Sequence, residues 1–358
     1  MNGETIPTLR TALERLLAHQ DLEEPQAQRV LGALAAAEAP PALAGALLAA
    51  LRAKGVTAAE VRGFAAGMRS LARRPELPCP VDAIDLVGTG GDASGSLNLS
   101  TGAALLAAAC GARVVKHGNR SISSRCGSAD LVEALGLALP LDEAAAARLF
   151  EATGFTFLFA PYYHPAMKAI GPVRSALGVR TIFNLLGPLT NPAAPRLRLI
   201  GAYDAASAQL IAETIAGLEV TRAWVVHGAA GWDEATPIGS FIAFEVADGR
   251  VRRLEIDPLD LGLARCTPAD LAGGDATRNA AALIDVFERR DRGPHRAALL
   301  LQSGIALHLA GLADSPRSGI NLAASALEDG RAADWLARWR ALAANANVQA
   351  GLTGRGTT

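Results

Sequence analysis

Ala83-Ile84-Asp85-Leu86-Val87 is a short apolar run that stops in Gly88-Thr89-Gly90-Gly91-Asp92, and Asn98-Leu99-Ser100-Thr101 then opens an Ala- and Leu-rich stretch through Cys110. The run is too short for a helix and ends in residues that favour tight turns, so it reads as a strand, a glycine loop and a helix in succession. The same order recurs. Ala112–Val115, Thr156–Phe159, Leu197–Ala202 and Ala223–Val226 read as strands, with helical stretches such as Leu131–Gly136 and Ala206–Gly217 between them. Strands alternating with helices predict an α/β domain with a mainly parallel central sheet. Ile242–Val246 and Val251–Ile256 flank Asp248-Gly249 and predict an antiparallel hairpin. From Thr277 onward the pattern is largely helical.

Upstream of this region the grammar differs. Residues 7–75 carry apolar positions at helical spacing, in Leu9–Leu17, Val30–Ala37 and Leu43–Ala53. Gly55 reads as a C-cap, and Thr57 with Glu60 reads as a capping pair for another helix. Pro75-Glu76-Leu77-Pro78-Cys79-Pro80 breaks the pattern as a linker. The expected organisation is a small all-helical domain over 1–78 and an α/β domain over 79–350. A segment near 165–190 packs on the helices, and 351–358 is a flexible Gly/Thr-rich tail.

Half of the 358 residues are apolar and the formal net charge is −1. That composition fits a folded globular chain, and it lacks the basic excess expected of a nucleic-acid binder. No window approaches ~18 uninterrupted apolar residues, so no membrane span is expected. The four cysteines show no CxxC spacing, which argues against a zinc site or a redox dithiol. Reduced thiols and a polar, acidic N-terminus without an apolar core suit a cytoplasmic protein.

In open α/β sheets ligands bind beyond the carboxyl ends of the strands, and polar clusters follow Val87, Val115 and Val226. The three glycines of 88–91 let backbone amides approach an anion, and Ser100-Thr101 at a helix start adds positive partial charge. A plain tight turn with a capping serine reads the same residues without a ligand. Asp92 beside an anion calls for an intervening cation or a ribose hydroxyl. Lys116-His117-Gly118-Asn119-Arg120-Ser121-Ile122-Ser123-Ser124, followed by Gly127-Ser128-Ala129-Asp130, supplies the cations and donors that a diphosphate needs. Trp232-Asp233-Glu234 places two carboxylates side by side, either as an exposed acidic turn or around a shared cation. Arg174 and Arg180 lie in a largely apolar stretch. Either can tie loops to carbonyls, and Arg174 is the better placed to clamp a carboxylate.

Together these stretches resemble the anthranilate phosphoribosyltransferase family. Its pattern of GTGGD with N-x-ST, KHGNR with GSAD, HPAM with P-V-R, LG-x-RT-x-FN-x-LGPL-x-NP and a late DE pair runs through the chain in order, from about residue 10 to about 345. The resemblance implies a nucleoside phosphorylase/phosphoribosyltransferase-like fold, a homodimer formed through the helical domain, and Mg²⁺ as cofactor. It implies transfer of the phosphoribosyl group from phosphoribosyl pyrophosphate (PRPP) to anthranilate in tryptophan biosynthesis. By position, it implies that PRPP meets Gly88, Gly91, Asp92, Ser96, Asn98, Leu99, Ser100, Thr101, the run Lys116 to Ser124, and Ser128. Gly88, His117, Asn119, Arg174 and Pro188 would face anthranilate. Ser100, Asp233 and Glu234 would hold the metal, and Lys116, Asp233 and Glu234 would carry catalysis.

Four positions depart from the family's usual residues: Ser96 for Thr, Cys126 for Ser, Trp232 for Leu and Gln302 for Asn. None removes a charge. A homologue with another aromatic acceptor, a nucleoside phosphorylase and a non-catalytic nucleic-acid-binding relative share the fold. The near-neutral charge and the retained Lys116, Asp233 and Glu234 disfavour the last.

Overall fold

A computed structural model describes residues 4–121 and 125–346. Four helices come first: α1 (Thr5–Leu17), α2 (Glu24–Leu34), α3 (Pro41–Lys54) and α4 (Ala58–Ser70). Helix α2 begins six residues before, and ends three residues before, the stretch that hydrophobic spacing singles out. Its first turn is polar and held by Gln26, whose side chain accepts from the Glu23 amide at 3.0 Å, so apolar periodicity alone misplaces it.

The start of α4 rests on a buried carboxylate. Glu60 is fully buried and accepts from the amides of Leu22 at 3.0 Å and Thr57 at 2.9 Å, and from Lys54 Nζ at 3.0 Å. Glu60→Ala leaves the Leu22 and Thr57 amides without their acceptor and the Lys54 ammonium with only Asp21 and the Gly55 carbonyl, and is expected to lower stability by about 3 kcal/mol. A fall in the thermal midpoint without loss of α/β secondary structure by circular dichroism would show it.

The rest of the chain builds one seven-stranded sheet in the order β3-β2-β1-β4-β5-β6-β7. The strands are β1 (Ile84–Gly88), β2 (Val114–Gly118), β3 (Phe155–Phe159), β4 (Leu197–Gly201), β5 (Arg222–His227), β6 (Phe241–Ala247) and β7 (Arg250–Ile256). The first five pair parallel, and β6 and β7 add antiparallel, as the hairpin reading expects. Helix α5 (Leu99–Ala109) returns β1 to β2, and α6 (Ser128–Ala134) follows β2.

Two apolar cores lie on the two faces of the sheet. One joins Leu86, Leu199, Trp224 and Val226 to α5 and to the helices Pro294–Leu309 and Arg331–Ala343. The other joins Ile200, Ala223, Val225 and Phe244 to helix Ala205–Ala216, to Ile170–Leu189 and to the interior of α1–α4. Alternate strand residues therefore serve different cores, as a period of two dictates. Helix Met167–Leu177 lies against α3, where a Cβ on Gly45 would sit 3.8 Å from Val173.

The order of strands reverses between β1 and β4, because β1 continues toward β2 while β4 continues toward β5. That switch point opens a crevice at the carboxyl ends of the strands, where Gly88, Gly118, Gly201 and His227 all end.

Candidate functional site

The glycine loop leaves β1 with positive φ at Gly90, Gly91, Ala93 and Gly95. Its ties run to the acidic pair. Gly90 N donates to Asp233 Oδ2 at 2.6 Å, and Asp233 N donates to Asp92 Oδ2 at 3.3 Å. Asp92 Oδ1 accepts from the Ser94 amide at 3.2 Å, so this carboxylate shapes the loop it stands in. Ser100 N, at the start of α5, donates to Glu234 Oε1 at 3.0 Å, and Ser96 Oγ donates to Glu234 Oε2 at 3.3 Å. The serine at 96 therefore uses the hydroxyl it shares with threonine.

Asp233 is buried and Glu234 half-buried. Burial pushes both carboxyls upward from the usual range, and repulsion among Asp233, Glu234 and Asp92 adds to it. The exposed acidic turn that the sequence leaves open is therefore not what forms. Three glycines make the close approach feasible. A Cβ on Gly201 would lie 1.4 Å from the Asp233 carbonyl oxygen, on Gly228 2.0 Å from that of Glu234, and on Gly88 2.3 Å from Asp233 Oδ2. Gly201 and Gly228 were not among the predicted site residues; a glycine that ends a strand, as Gly201 ends β4, or directly follows one, as Gly228 follows β5, is the signal that finds them.

Lys116 and His117 stand within β2 rather than in the loop after it, a correction to the strand end read at Val115. Lys116 is buried, donates to the Leu86 carbonyl, and reaches Ser100 Oγ at 3.4 Å. Burial pushes its ammonium down to about 8, against the pull of Asp85, Glu234 and Asp233. Asp85, beneath it, accepts from His117 N at 3.3 Å and from Asn191 Nδ2 at 2.9 Å. Asn191 also reaches the Val115 carbonyl at 2.9 Å and so ties the 187–191 turn to the sheet.

His117 is buried, and its ring meets that of His164 edge-on, centroids 5.0 Å apart. Burial pushes His117 down to about 3 and His164 to about 4, so both are neutral near pH 7. Arg174 stacks over the Phe183 ring at 5.1 Å and has no hydrogen bond or ion pair among the described residues. Burial lowers its pKa. Pro188 is buried in the turn, and its carbonyl accepts from Arg198 Nη1 at 3.5 Å. Arg180 does tie a loop, donating to the Gly91 carbonyl at 2.6 Å.

The remaining predicted residues divide. Asn98 bridges the Cys126 carbonyl and Asn279 at 2.9 Å each, while Leu99 and Thr101 are fully buried. The Asn119 carbonyl accepts from Ser128 Oγ at 3.2 Å, and Gly118 makes room for that hydroxyl. Arg120 is paired with Asp130 at 3.1 Å and with Glu133, so its charge is already met. The Ser121 amide donates to Asp130 at 3.2 Å. Ile122, Ser123 and Ser124 lie outside the described residues, as does the 351–358 tail.

The departures are absorbed locally. The Trp232 side chain is buried in the core, and burial raises the Cys126 thiol to about 11. Gln302, also buried, lines a small cavity with Ser100, Asp233 and Glu234.

Residues 81–333 match the model of the glycosyl transferase family a/b domain, and residues 10–72 match that family's helical bundle domain. The chain is 44% identical over 348 residues to an anthranilate phosphoribosyltransferase of Rubrobacter xylanophilus, covering 97% of this chain and 99% of the relative.

The chain belongs to the anthranilate phosphoribosyltransferase family.

Another member of the family, from Desulforudis audaxviator, is 44% identical over 331 residues, covering 92% and 95% of the two chains. The crystal structure of the Thermus thermophilus member superimposes with a TM-score of 0.87 at 40% identity, covering 93% of this chain and 99% of that one. The Saccharomyces cerevisiae member, solved in complex with PRPP and Mg, shares the fold with a TM-score of 0.86 at 24% identity, over 95% and 98% of the two chains. The expected fold class, helices followed by an α/β domain with a mostly parallel sheet, is the family's fold. Among the described residues no helix is long and apolar enough to cross a membrane.

Proposed function

We propose that this chain transfers the phosphoribosyl group of PRPP to the amine of anthranilate, releasing pyrophosphate and forming N-(5-phosphoribosyl)anthranilate. The observation that carries the reading is the junction of the glycine loop with the acidic pair: amides of Gly90 and Ser100 hold Asp233 and Glu234 at the mouth of the β1–β4 crevice. A diphosphate on this loop would lie beside both carboxylates.

The donor set suits Mg²⁺. Asp233, Glu234 and the Ser100 hydroxyl are hard oxygen ligands, and burying like charges together favours a cation between them. Among the described residues no group of three or more His, Cys, Asp or Glu is arranged to hold a metal unaided. Mg²⁺ ordinarily takes one or two carboxylates and completes its shell with water and substrate phosphate. When bound, it would stabilise the negative charge that grows on the departing diphosphate.

The chain's own groups do the rest. Amides of the glycine loop and α5, with Ser96, Ser100, Lys116, Asn119 and Ser128, orient PRPP. Lys116 sets a positive charge beside Ser100 from below. Arg174, half-buried and without a hydrogen bond or ion pair among the described residues, is available to meet the anthranilate carboxylate bidentately. Neutral His117 with Asn119, Gly88 and Pro188 shapes the acceptor wall. An aromatic amine is uncharged near pH 7, so placement and electrostatics carry the rate and no strong base is required.

A cytoplasmic homodimer formed through the helical bundle completes the reading. An apolar groove of about 810 Å³ between Leu34–Gly45 and Pro165–Leu177 supports an interface there. The decisive measurement is loss of anthranilate fluorescence on mixing protein, PRPP and Mg²⁺. Consumption that needs all three supports donor, acceptor and metal together. PRPP binding by calorimetry without consumption would send the search to other aromatic acceptors.

A further inference from the structure

We propose that Arg180 is a positioning residue for the diphosphate-binding loop, and that through it the helical bundle controls affinity for PRPP. The inference rests on the function proposed above.

The glycine loop has four residues at positive φ between Gly90 and Gly95. A segment so permissive holds one shape only if its surroundings impose it. One constraint comes from outside the strand ends. Arg180 lies two residues past Gly178, the left-handed cap of helix Met167–Leu177. Its Nη2 donates to the Gly91 carbonyl at 2.6 Å, while its guanidinium lies 3.7 Å over the Tyr203 ring. Tyr203 is itself anchored to the loop, its amide donating to Thr89 Oγ1 at 3.2 Å. The Arg180 carbonyl accepts from Arg52 Nη1 of α3 at 2.6 Å. A chain of contacts thus runs from α3 through Arg180 to Gly91, with Tyr203 as its platform.

The chemistry follows from the planar peptide. In a trans peptide the C=O and the following N–H point in opposite directions. Fixing the Gly91 carbonyl toward Arg180 therefore aims the Asp92 N–H away from it. Among the described residues neither the Gly91 nor the Asp92 amide has a protein acceptor, as expected of donors reserved for an anion. Arginine suits the task because its plane can stack on a ring while its edge donates, and lysine can do only one of these.

The test is calorimetric titration of PRPP with Mg²⁺ into wild type, Arg180→Gln, Arg180→Lys, Arg52→Ala and Tyr203→Leu, with thermal midpoints and anthranilate KM alongside. Arg180→Gln is expected to weaken PRPP binding about tenfold, and Arg180→Lys and Arg52→Ala about threefold, with anthranilate KM and thermal midpoint unchanged. Arg180→Gln combined with Tyr203→Leu is expected to lose no more than Arg180→Gln alone, because both act through the same contact. Wild-type PRPP affinity in Arg180→Gln would overturn the proposal. So would a matching rise in anthranilate KM with a lowered midpoint, which marks a general structural defect. Additive losses in the double variant would overturn it too, by making Arg180 a direct ligand of PRPP. Failure of wild type to bind PRPP would overturn both this inference and the function on which it rests.

Discussion

Asp233→Asn is expected to lower turnover by a factor of about 10²–10³ while making the metal-free protein more stable. Asparagine keeps an oxygen for the Gly90 amide, now 2.6 Å from Asp233 Oδ2, so the loop retains its shape. It removes half of the negative charge that would bind Mg²⁺. The variant should need a higher Mg²⁺ concentration to reach half of its maximal activity; an unchanged dependence would take Asp233 out of the metal site.

The stability gain has a definite pH signature. Burial first, and like-charge repulsion second, raise the carboxyls of Asp233 and Glu234 above their unfolded values. Above the ordinary carboxylate range of about 4, the native state then holds more protons than the unfolded state, so stability falls as pH rises toward neutrality and beyond. Below that range both states are protonated and the pair imposes no penalty. Denaturation in a chelator should show this decline in wild type and a shallower one in Asp233→Asn. The variant should be more stable by about 1–2 kcal/mol near pH 8. Equal slopes would refute the account of the pair as a strained anionic cluster.

Gly201→Ala should be at least as damaging, through space rather than charge. A Cβ there would fall 1.4 Å from the Asp233 carbonyl oxygen and 2.6 Å from its carbon. Backbone cannot yield as a flexible side chain can, so either β4 or the 233–234 segment must move. Loss of detectable turnover and a stability cost of about 3 kcal/mol are expected. Gly32→Ala supplies the contrast. Nothing lies within 4 Å of a Cβ at that position inside α2, where alanine should stabilise by about 0.5–1 kcal/mol. The two midpoints measured by thermal unfolding should move in opposite directions.

Much of this was legible in the residues alone. Short apolar runs located β1, β3, β4 and β5 within one residue at either end, because burial on both faces leaves a strand little freedom of composition, while β2 was read three residues short, at Val115 rather than Gly118. The glycine loop and the acidic pair stood out because polar residues cluster where strands end. What escaped was whatever depends on contacts distant in the chain. Lys116 looked like a loop cation, but Asp85 lies beneath it in the neighbouring strand and the charge is buried within β2. Arg120 looked like a free donor, yet Asp130 and Glu133 on the next helix engage it. Arg174 and Arg180 are six residues apart and chemically identical in the sequence. Only the fold stacks one over Phe183, with no hydrogen-bond or ion-pair partner among the described residues, and binds the other to Gly91. Gly201 and Gly228 carry no chemistry of their own, so only the proximity of the 233–234 backbone reveals their purpose.

The second apolar core runs without interruption from the interior of α1–α4 through Ile170–Leu189 to Ile200, Val225 and Phe244 of the sheet. The amino-terminal helices are thus an outer layer on a core that reaches the strands through helices Met167–Leu177 and Ala205–Ala216. A gene shortened to begin near Val81 would encode a domain whose helices Met167–Leu177 and Ala205–Ala216 turn to water the sides that α3 and α4 now cover, prone to precipitate or to seek a chaperone. Recombination between distant relatives should accordingly tolerate a crossover at the linker only where both parents agree on the packing of this seam.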